Sequence, residues 1–396
     1  MNRFLAILLV VSLAATGCVP GFEKEEEVIQ DPGEQETMEK AIVPRYKISD
    51  DYYQTILPFK AGQTRGQVVA RLNSRVDVEQ FETGLMRLSQ DPFPSDKYLY
   101  QEGQYIDRTT VSQWLARKLT DAQLEEKKAA DKDYKTPTNG LNPVLVKGKT
   151  TEETNEKSPI YLAHIMEQNY LVRKDDGTVE LGGVSVGIAL NSVHYYNLPA
   201  ADGGFPREYP IPDAELEKAG KEIAEEVVRR MRKIEGLGNV PIVVGLFKQS
   251  PATSIVPGHF IAKANIPSGE GSVSKWEDLN EEYHLFPSKD ATEKYRDDAV
   301  RFDNFKLDID DYFPNHTGVI AKGYYRDQEL QQVNIEVNMD FYGKSELIGF
   351  TQYVTGLVME HFPNYINLQV SITSINGEEA LIVRDAGADE PFVHIY

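Results

Sequence analysis

The segment "DAELEKAGKEIAEEVVRRMRKIEG", Asp213 to Gly236, constrains the fold more than any other. Leu216, Ala219, Ile223, Val227, Met231 and Ile234 keep the 3.6-residue period of an amphipathic helix. Asp and Glu crowd its start, and Arg229, Arg230, Arg232 and Lys233 crowd its end, as the helix dipole favours. Glu225/Arg229 and Glu226/Arg230 are spaced as i,i+4 pairs, and Gly236 ends the helix. Two strand-like segments precede it, "IYLAHIMEQNYLV" and "VELGGVSVGIALNSVHYY", joined through "RKDDG". Asp176-Gly177 is a strong hairpin signal there. Two more strands follow, "VPIVVGLFKQ" and "GHFIAKANI". The order β-β-α-β-β predicts an α+β fold of antiparallel sheets with packed helices.

The same order returns in the last hundred residues. "TGVIAKGYY" and "QQVNIEVNMDF" read as strands and "SELIGFTQYVTGLVMEHF" as a helix. "INLQVSITSI" and "EALIVRD" read as a hairpin across Asn376-Gly377. A duplicated β-β-α-β-β unit and two independent α+β units would both give this pattern. An N-terminal α+β region precedes them. "YQTILPFK" and "YLYQEGQYI" are its strands, and "DVEQFETGLMRLSQ", capped by Asp77, and "TTVSQWLARKL" are its helices. The expected organisation is 1–17 signal peptide, 18–45 acidic disordered tether, 46–135 N-terminal α+β region and 136–158 linker. Residues 159–267 form the β-β-α-β-β domain, 268–294 a connection and 295–396 a C-terminal α+β domain.

The only cysteine of the 396 residues is Cys18. It cannot close a disulfide within the chain. Arg3, then the nearly unbroken apolar run Phe4 to Ala15, then small residues, have the layout of a secretory signal too short to span a bilayer. "LAATGC" resembles a bacterial lipobox. That resemblance implies a diacylglyceryl thioether on Cys18 and signal peptidase II cleavage between Gly17 and Cys18; two acyl chains anchor stably. An ordinary signal peptide cut near "AAT" is the alternative. The Glu-rich stretch Val19 to Ile42 reads as disordered. Its 24 residues would reach roughly 25–30 Å as a flexible chain. The formal net charge of -20 excludes nucleic acid as a partner, since that binding needs cationic neutralisation of phosphates.

Catalytic signatures are absent: no P-loop, no G-x-S-x-G elbow, no H-E-x-x-H. The seven histidines are scattered, and neither a metal nor a cofactor is expected. "DNFKLDIDDYFPNH" is the most acidic cluster. Asp308 and Asp310 would share a strand face near Asp311 and His316, and the segment reads as a solvated acidic sheet edge rather than a cation site. Gln101, Glu102 and Tyr105 in "QEGQY", and Asn191, His194 and Tyr196 in "NSVHYY", pair polar groups with aromatics at strand ends. Such groups suit sugar or peptide binding; tyrosines half-buried on a sheet give the same pattern.

Long, irregular segments spread over most of the chain carry a family resemblance: "ILPFK", "FETGLMRLSQ", "YLYQEGQY", "LGGVSVGIALNSVHYY" and "GHFIAKANI". Together they resemble the CamS family of sex-pheromone precursor lipoproteins. The resemblance implies a Gram-positive lipoprotein anchored to the cell membrane on its extracellular face. It also implies a signal peptide that can yield a secreted conjugation pheromone. Here that segment would be Val11, Ser12, Leu13, Ala14, Ala15, Thr16 and Gly17. It ends in Thr and Gly and lacks the aromatic-aliphatic content of active peptides.

Two functions are carried forward. One is a lipid-anchored binding or scaffold module whose partners are the bilayer, through Cys18, and an extracellular ligand or cell-wall component. The other is a cell-surface hydrolase acting on cell-wall or peptide substrates through paired carboxylates, with Asp308 or Glu102 as general acid/base.

Overall fold

The strand Thr178–Asn191 of the computed structural model is buried without interruption from Gly183 to Leu190, because helices cover both faces of its sheet. The model describes residues 26–30, 39–44, 48–49, 52–130, 139–312, 318–340 and 343–396. In chain order the first part comprises β1 (Glu26–Gln30), β2 (Glu39–Val43), β3 (Gln54–Thr55), α1 (Arg75–Ser89), β4 (Tyr98–Glu102), α2 (Arg108–Trp114), α3 (Asp121–Ala130) and α4 (Thr151–Lys157). There follow β5 (Leu162–Arg173), β6 (Thr178–Asn191), β7 (Val193–Asn197), β8 (Pro206–Pro210), α5 (Asp213–Met231), β9 (Ile242–Gln249), β10 (His259–Ile266) and β11 (Glu277–Asp278). The last part comprises β12 (Glu281–Phe286), α6 (Lys289–Lys294), α7 (Arg296–Tyr312), β13 (Gly318–Arg326), β14 (Glu329–Asn338), α8 (Lys344–His361), β15 (Asn367–Ser374), β16 (Gly377–Arg384) and β17 (Phe392–Ile395).

The first sheet runs β11-β10-β9-β6-β5-β4-β3, with β1 paired to the start of β6 and β2 paired to β1. The second runs β12-β13-β14-β15-β16-β17. Each has a central parallel pair, β6/β9 and β14/β15, flanked by antiparallel neighbours, and the first sheet also pairs β3/β4 and β1/β6 in parallel. Parallel neighbours cannot be joined by a tight turn, so each central pair is bridged by a crossover helix, α5 or α8. The expected α+β class therefore holds, and the two β-β-α-β-β strings share one strand order. Gly177 and Gly377 turn their hairpins at φ 80° and 122°, left-handed backbone that glycine adopts without a Cβ penalty.

Three readings are corrected. Residues 18–45 are not disordered throughout. Val28 and Val43 are buried with Ile56, Leu99, Leu171 and Val179, so the polar stretch carries enough apolar side chains to pair as strands. Asp308 and Asp310 lie on helix α7, not on a strand. Phe302, Phe305 and Ile309 recur at helical spacing and are buried against the second sheet. Asp310 pairs with Lys306 at 2.7 Å and Asp308 with His361 at 2.6 Å; His316 lies outside the described residues. Finally, Ser74 rather than Asp77 caps α1, its Oγ accepting the Asp77 N–H at 3.1 Å. Asp77 is fully buried and accepts the Gly258 N–H at 2.6 Å, which ties the start of α1 to β10.

Helix α5 lies on one face of the first sheet, with Leu216, Ile223, Val227 and Met231 buried against Val184, Val186, Ile188, Val244 and Leu246. Helix α1 lies on the other. Its Phe81 and Leu85 pack with Phe247 and Phe260. Close approach there requires glycine: a Cβ on Gly187 would come within 2.6 Å of the Phe81 ring, and one on Gly245 within 2.7 Å of Phe260. The second sheet is covered on one face only, by α7 and α8. Its strands accordingly alternate, and Gln332, Glu336, Asn338, Asn367 and Gln369 are exposed.

The sheets meet at a buried ion pair. Arg87 Nη2 of α1 lies 2.7 Å from Glu281 Oε1 of β12, whose side chain is 1% exposed. The Tyr324 hydroxyl donates to the same oxygen at 2.7 Å, and the guanidinium sits over the Tyr324 ring at 4.9 Å. Arg87→Ala should cost about 2–3 kcal/mol in urea unfolding, because it strands a desolvated carboxylate. The double change Arg87→Met/Glu281→Met should recover most of that loss; equal destabilisation by single and double variants would contradict the assignment.

Candidate functional site

Four segments converge beside the N-terminal half of α1. The loop Gly62–Val69, Val78 and Glu82 of α1, Tyr100 and Glu102 of β4 with Gly103, and His164, Met166 and Glu167 of β5 line a cavity of about 240 Å³. Glu167 builds its floor. This buried carboxylate accepts the backbone N–H groups of Gln104, at 3.0 Å, and Ile106, at 2.6 Å, and is shared by that of Tyr105. Three donors aimed at one carboxylate favour its charged form, while burial opposes it and wins, raising its pKa. Gly103 fits against Glu167 only because it lacks a Cβ, which would fall 2.6 Å from the Glu167 carbonyl oxygen. The Gly103 carbonyl accepts the Gln63 N–H at 3.0 Å, so the loop over the cavity is pinned to the same point.

The cavity walls carry two further carboxylates. Glu102 Oε2 accepts the Gly62 N–H at 2.5 Å, and Oε1 lies 3.7 Å from Arg65, whose side chain is 59% exposed. Glu82 has no hydrogen bond or ion pair to its carboxylate among the described residues. Its pKa is raised, first by burial and then by the charge of Glu102. His164 is 1% exposed and its Nδ1 has no hydrogen-bond partner. Burial, assisted by Arg71, lowers its pKa to about 4, so the ring is neutral at pH 7. Val68, Val78, Met166 and the Tyr100 ring supply the apolar lining. Among the described residues no three His, Cys, Asp or Glu side chains are placed to hold a metal ion.

Of the six residues expected to bind ligand, Glu102 alone lines this cavity. Gln101 is buried on the opposite side of β4. Tyr105 contributes its backbone to the Glu167 cradle, and its ring packs over Gly236. Asn191, His194 and Tyr196 are elsewhere. Glu102 pairs with Gln168 and Gln168 with Ser185; Asn191 lies six residues further along β6, roughly 20 Å away. There Asn191 Nδ2 donates to Ile160 O at 2.9 Å and its Oδ1 accepts from Gln249. His194 Nε2 meets Asn155 Oδ1 at 3.0 Å and stacks on Tyr196. None of these three lines the α1/β4/β5 cavity. Sequence patterning does not single out Glu82, His164 or Glu167. A His and a Glu in the otherwise apolar run "LAHIME" were the available signal, since a strand buries such groups only with partners or for use. Cys18, Gly17 and the segment Val11–Gly17 lie outside the described residues.

The "CamS sex pheromone cAM373 precursor" family model matches residues 59–390. The chain belongs to the CamS family. Two solved structures are similar over nearly their whole length. A sex pheromone precursor from Lactobacillus salivarius subsp. salivarius UCC118 is 28% identical with a TM-score of 0.78, covering 89% of this chain and 98% of its own. The C-terminal domain of the sex pheromone staph-cAM373 precursor from Staphylococcus aureus is 32% identical with a TM-score of 0.70, covering 82% and 99%. No curated protein sequence matches. The CamS match begins after Cys18 and includes every residue of the cavity. CamS membership supports a pheromone-precursor role and fits a surface or extracellular protein; among the described residues no helix is long and apolar enough to cross a membrane.

His164 gives a pH signature. Below pH ~6.5 the unfolded chain takes up a proton that the folded ring refuses until about pH 4. This residue therefore makes the fold less stable as pH falls through that interval. Relative to the parent, His164→Gln should gain stability between pH 7 and pH 5, measured by thermal unfolding at both values. A parent–variant difference that does not change with pH would contradict a buried neutral His164.

Proposed function

We propose that this chain is a lipoprotein held on the extracellular face of the cell membrane by diacylglyceryl-Cys18, and that its mature part is a binding module. The observation that carries the binding reading is the α1/β4/β5 cavity. Its rim is pinned by Glu167 and Gly103, and it holds a Glu82 carboxylate and a His164 nitrogen that have no hydrogen-bond partner among the described residues. Burying polar groups without partners costs free energy, and a ligand that bonds them recovers it. The anchor rests on the lipobox-like "LAATGC" and on what CamS membership implies. The same cleavage would shed the signal peptide 1–17, and a second cut before Val11 would trim from it Val11–Gly17 as the source of a secreted conjugation peptide.

The hydrolase reading gains nothing from the geometry. Asp308 and Glu102 are not brought together: Asp308 is engaged by His361 on the second sheet's helices. Glu82 and Glu102 do share the cavity, but Glu102 is occupied by the Gly62 N–H and Arg65. One open carboxylate remains where acid/base displacement needs two.

Cys18→Ser should shift the protein from the membrane pellet to the medium in cell fractionation; unchanged pelleting would refute the anchor. Synthetic VSLAATG should induce clumping of a responder strain if the shed peptide signals, and silence at generous concentration would remove that role. A thermal-shift screen of peptides, amines and cell-wall sugars should find a compound that raises the Tm of the parent by about 3 °C or more but not that of Met166→Trp, which fills the cavity. No discriminating compound in such a screen would refute the binding module.

A further inference from the structure

We infer that the cavity receives a primary ammonium group carried on a short apolar body, and that the free N-terminus of an apolar peptide is its source. The inference rests on the binding reading above and adds the chemistry of the ligand. Three observations select an ammonium. The first is charge. Glu82 and Glu102 bring two carboxylates to the cavity, that of Glu167 being taken up by backbone N–H groups, and the one cation in its lining, Arg65, is mostly exposed and lies 3.7 Å from Glu102. An anion would be repelled, and a neutral group would leave the half-buried Glu82 carboxylate with only the charge of Arg65 to offset its desolvation. The second is His164. Its buried Nδ1 has no partner, and the neutral ring accepts a hydrogen bond there when its proton sits on Nε2. An ammonium has three donors, enough for Glu82, with others left for His164 or a backbone carbonyl. The third is the absence, among the described residues, of a three-ligand cluster that could hold a metal ion. A bare divalent cation lacks its ligand set here, whereas an ammonium needs only acceptors.

The body of the ligand follows from the walls and the size. Val68, Val78, Met166 and the Tyr100 ring offer apolar surface beside the carboxylates. At about 240 Å³ the space falls below the ~300–1,000 Å³ of pockets for drug-sized molecules. It suits one or two small residues at the end of a chain whose remainder passes out beside the Gly62–Val69 loop. Lysine side chains and simple alkylamines share the ammonium but differ in what lies next to it. A peptide terminus carries an amide one carbon away.

Calorimetric titration of the full-length chain at pH 7 with leucyl-alanine amide, its N-acetyl derivative and isobutylamine tests the inference. The free dipeptide amide should bind, and acetylation should weaken binding at least tenfold. Glu82→Gln should weaken the free form by a similar factor. Arg65→Ala should tighten it several-fold, because a competing cation is removed; a merely structural role for this cluster predicts no gain. Equal binding of the free and acetylated dipeptides would overturn the ammonium while leaving the binding module intact. Isobutylamine binding as tightly as the dipeptide would support the ammonium and overturn the peptide source. Failure of all three probes would overturn the inference, and only the thermal-shift comparison with Met166→Trp would then decide the binding module itself.

Discussion

The contact between Phe81 and Gly187 sets the position of everything around the cavity. A phenyl ring lies against a strand where no Cβ intervenes, and Gly245 does the same for Phe260 one strand away. Helix α1 is drawn down onto the sheet and its height is fixed by those rings. Interiors pack at crystal-like density, so a methyl group inserted there would lift the helix rather than vanish into slack. Glu82 follows Phe81 in the chain. One residue is the ring that seats the helix and the next is the open carboxylate of the cavity, so the carboxylate's reach is governed by a contact in the core.

Much of this architecture was written in local patterns. Helix α5 was legible because its apolar stripe and charge gradient agree, although it ends at Met231, short of the expected stop at Gly236. The β5–β6 hairpin was legible because Asp176-Gly177 admits few other conformations. Helix α7 was not. Phe302, Phe305 and Ile309 are spaced for a helix, but Asp303, Asp308, Asp310 and Asp311 among and after them read as an acidic edge when the apolar positions are not followed. The β1/β2 pair was missed for a related reason: Val28 and Val43 stand among glutamates, and only the rest of the sheet supplies their burial.

The cavity was legible at one residue, Glu102. Its other groups come from segments far apart in the chain, brought together by the pairing of β4 with β5 and the seating of α1 across them. No spacing rule in one segment encodes that convergence. The "NSVHYY" motif shows the converse. Its polar and aromatic residues look like a binding edge, yet Asn191 and His194 spend their hydrogen bonds on Ile160, Gln249 and Asn155, holding one end of the long hairpin to its surroundings.

The pairing of β1 with β6 also bears on orientation. Ile29 and Gln30 pair in parallel with Thr178 and Val179, so Glu26 points back past the Asp176-Gly177 turn. Glu26 stands eight positions after Cys18, a span of at most ~29 Å. If Cys18 carries the lipid, the protein is moored on a short line at the turn end of its first sheet. That end, with Asp175 and Asp176 at its tip, would hang closest to the head groups, and the strands of the sheet would rise from it like the ribs of a standing fan.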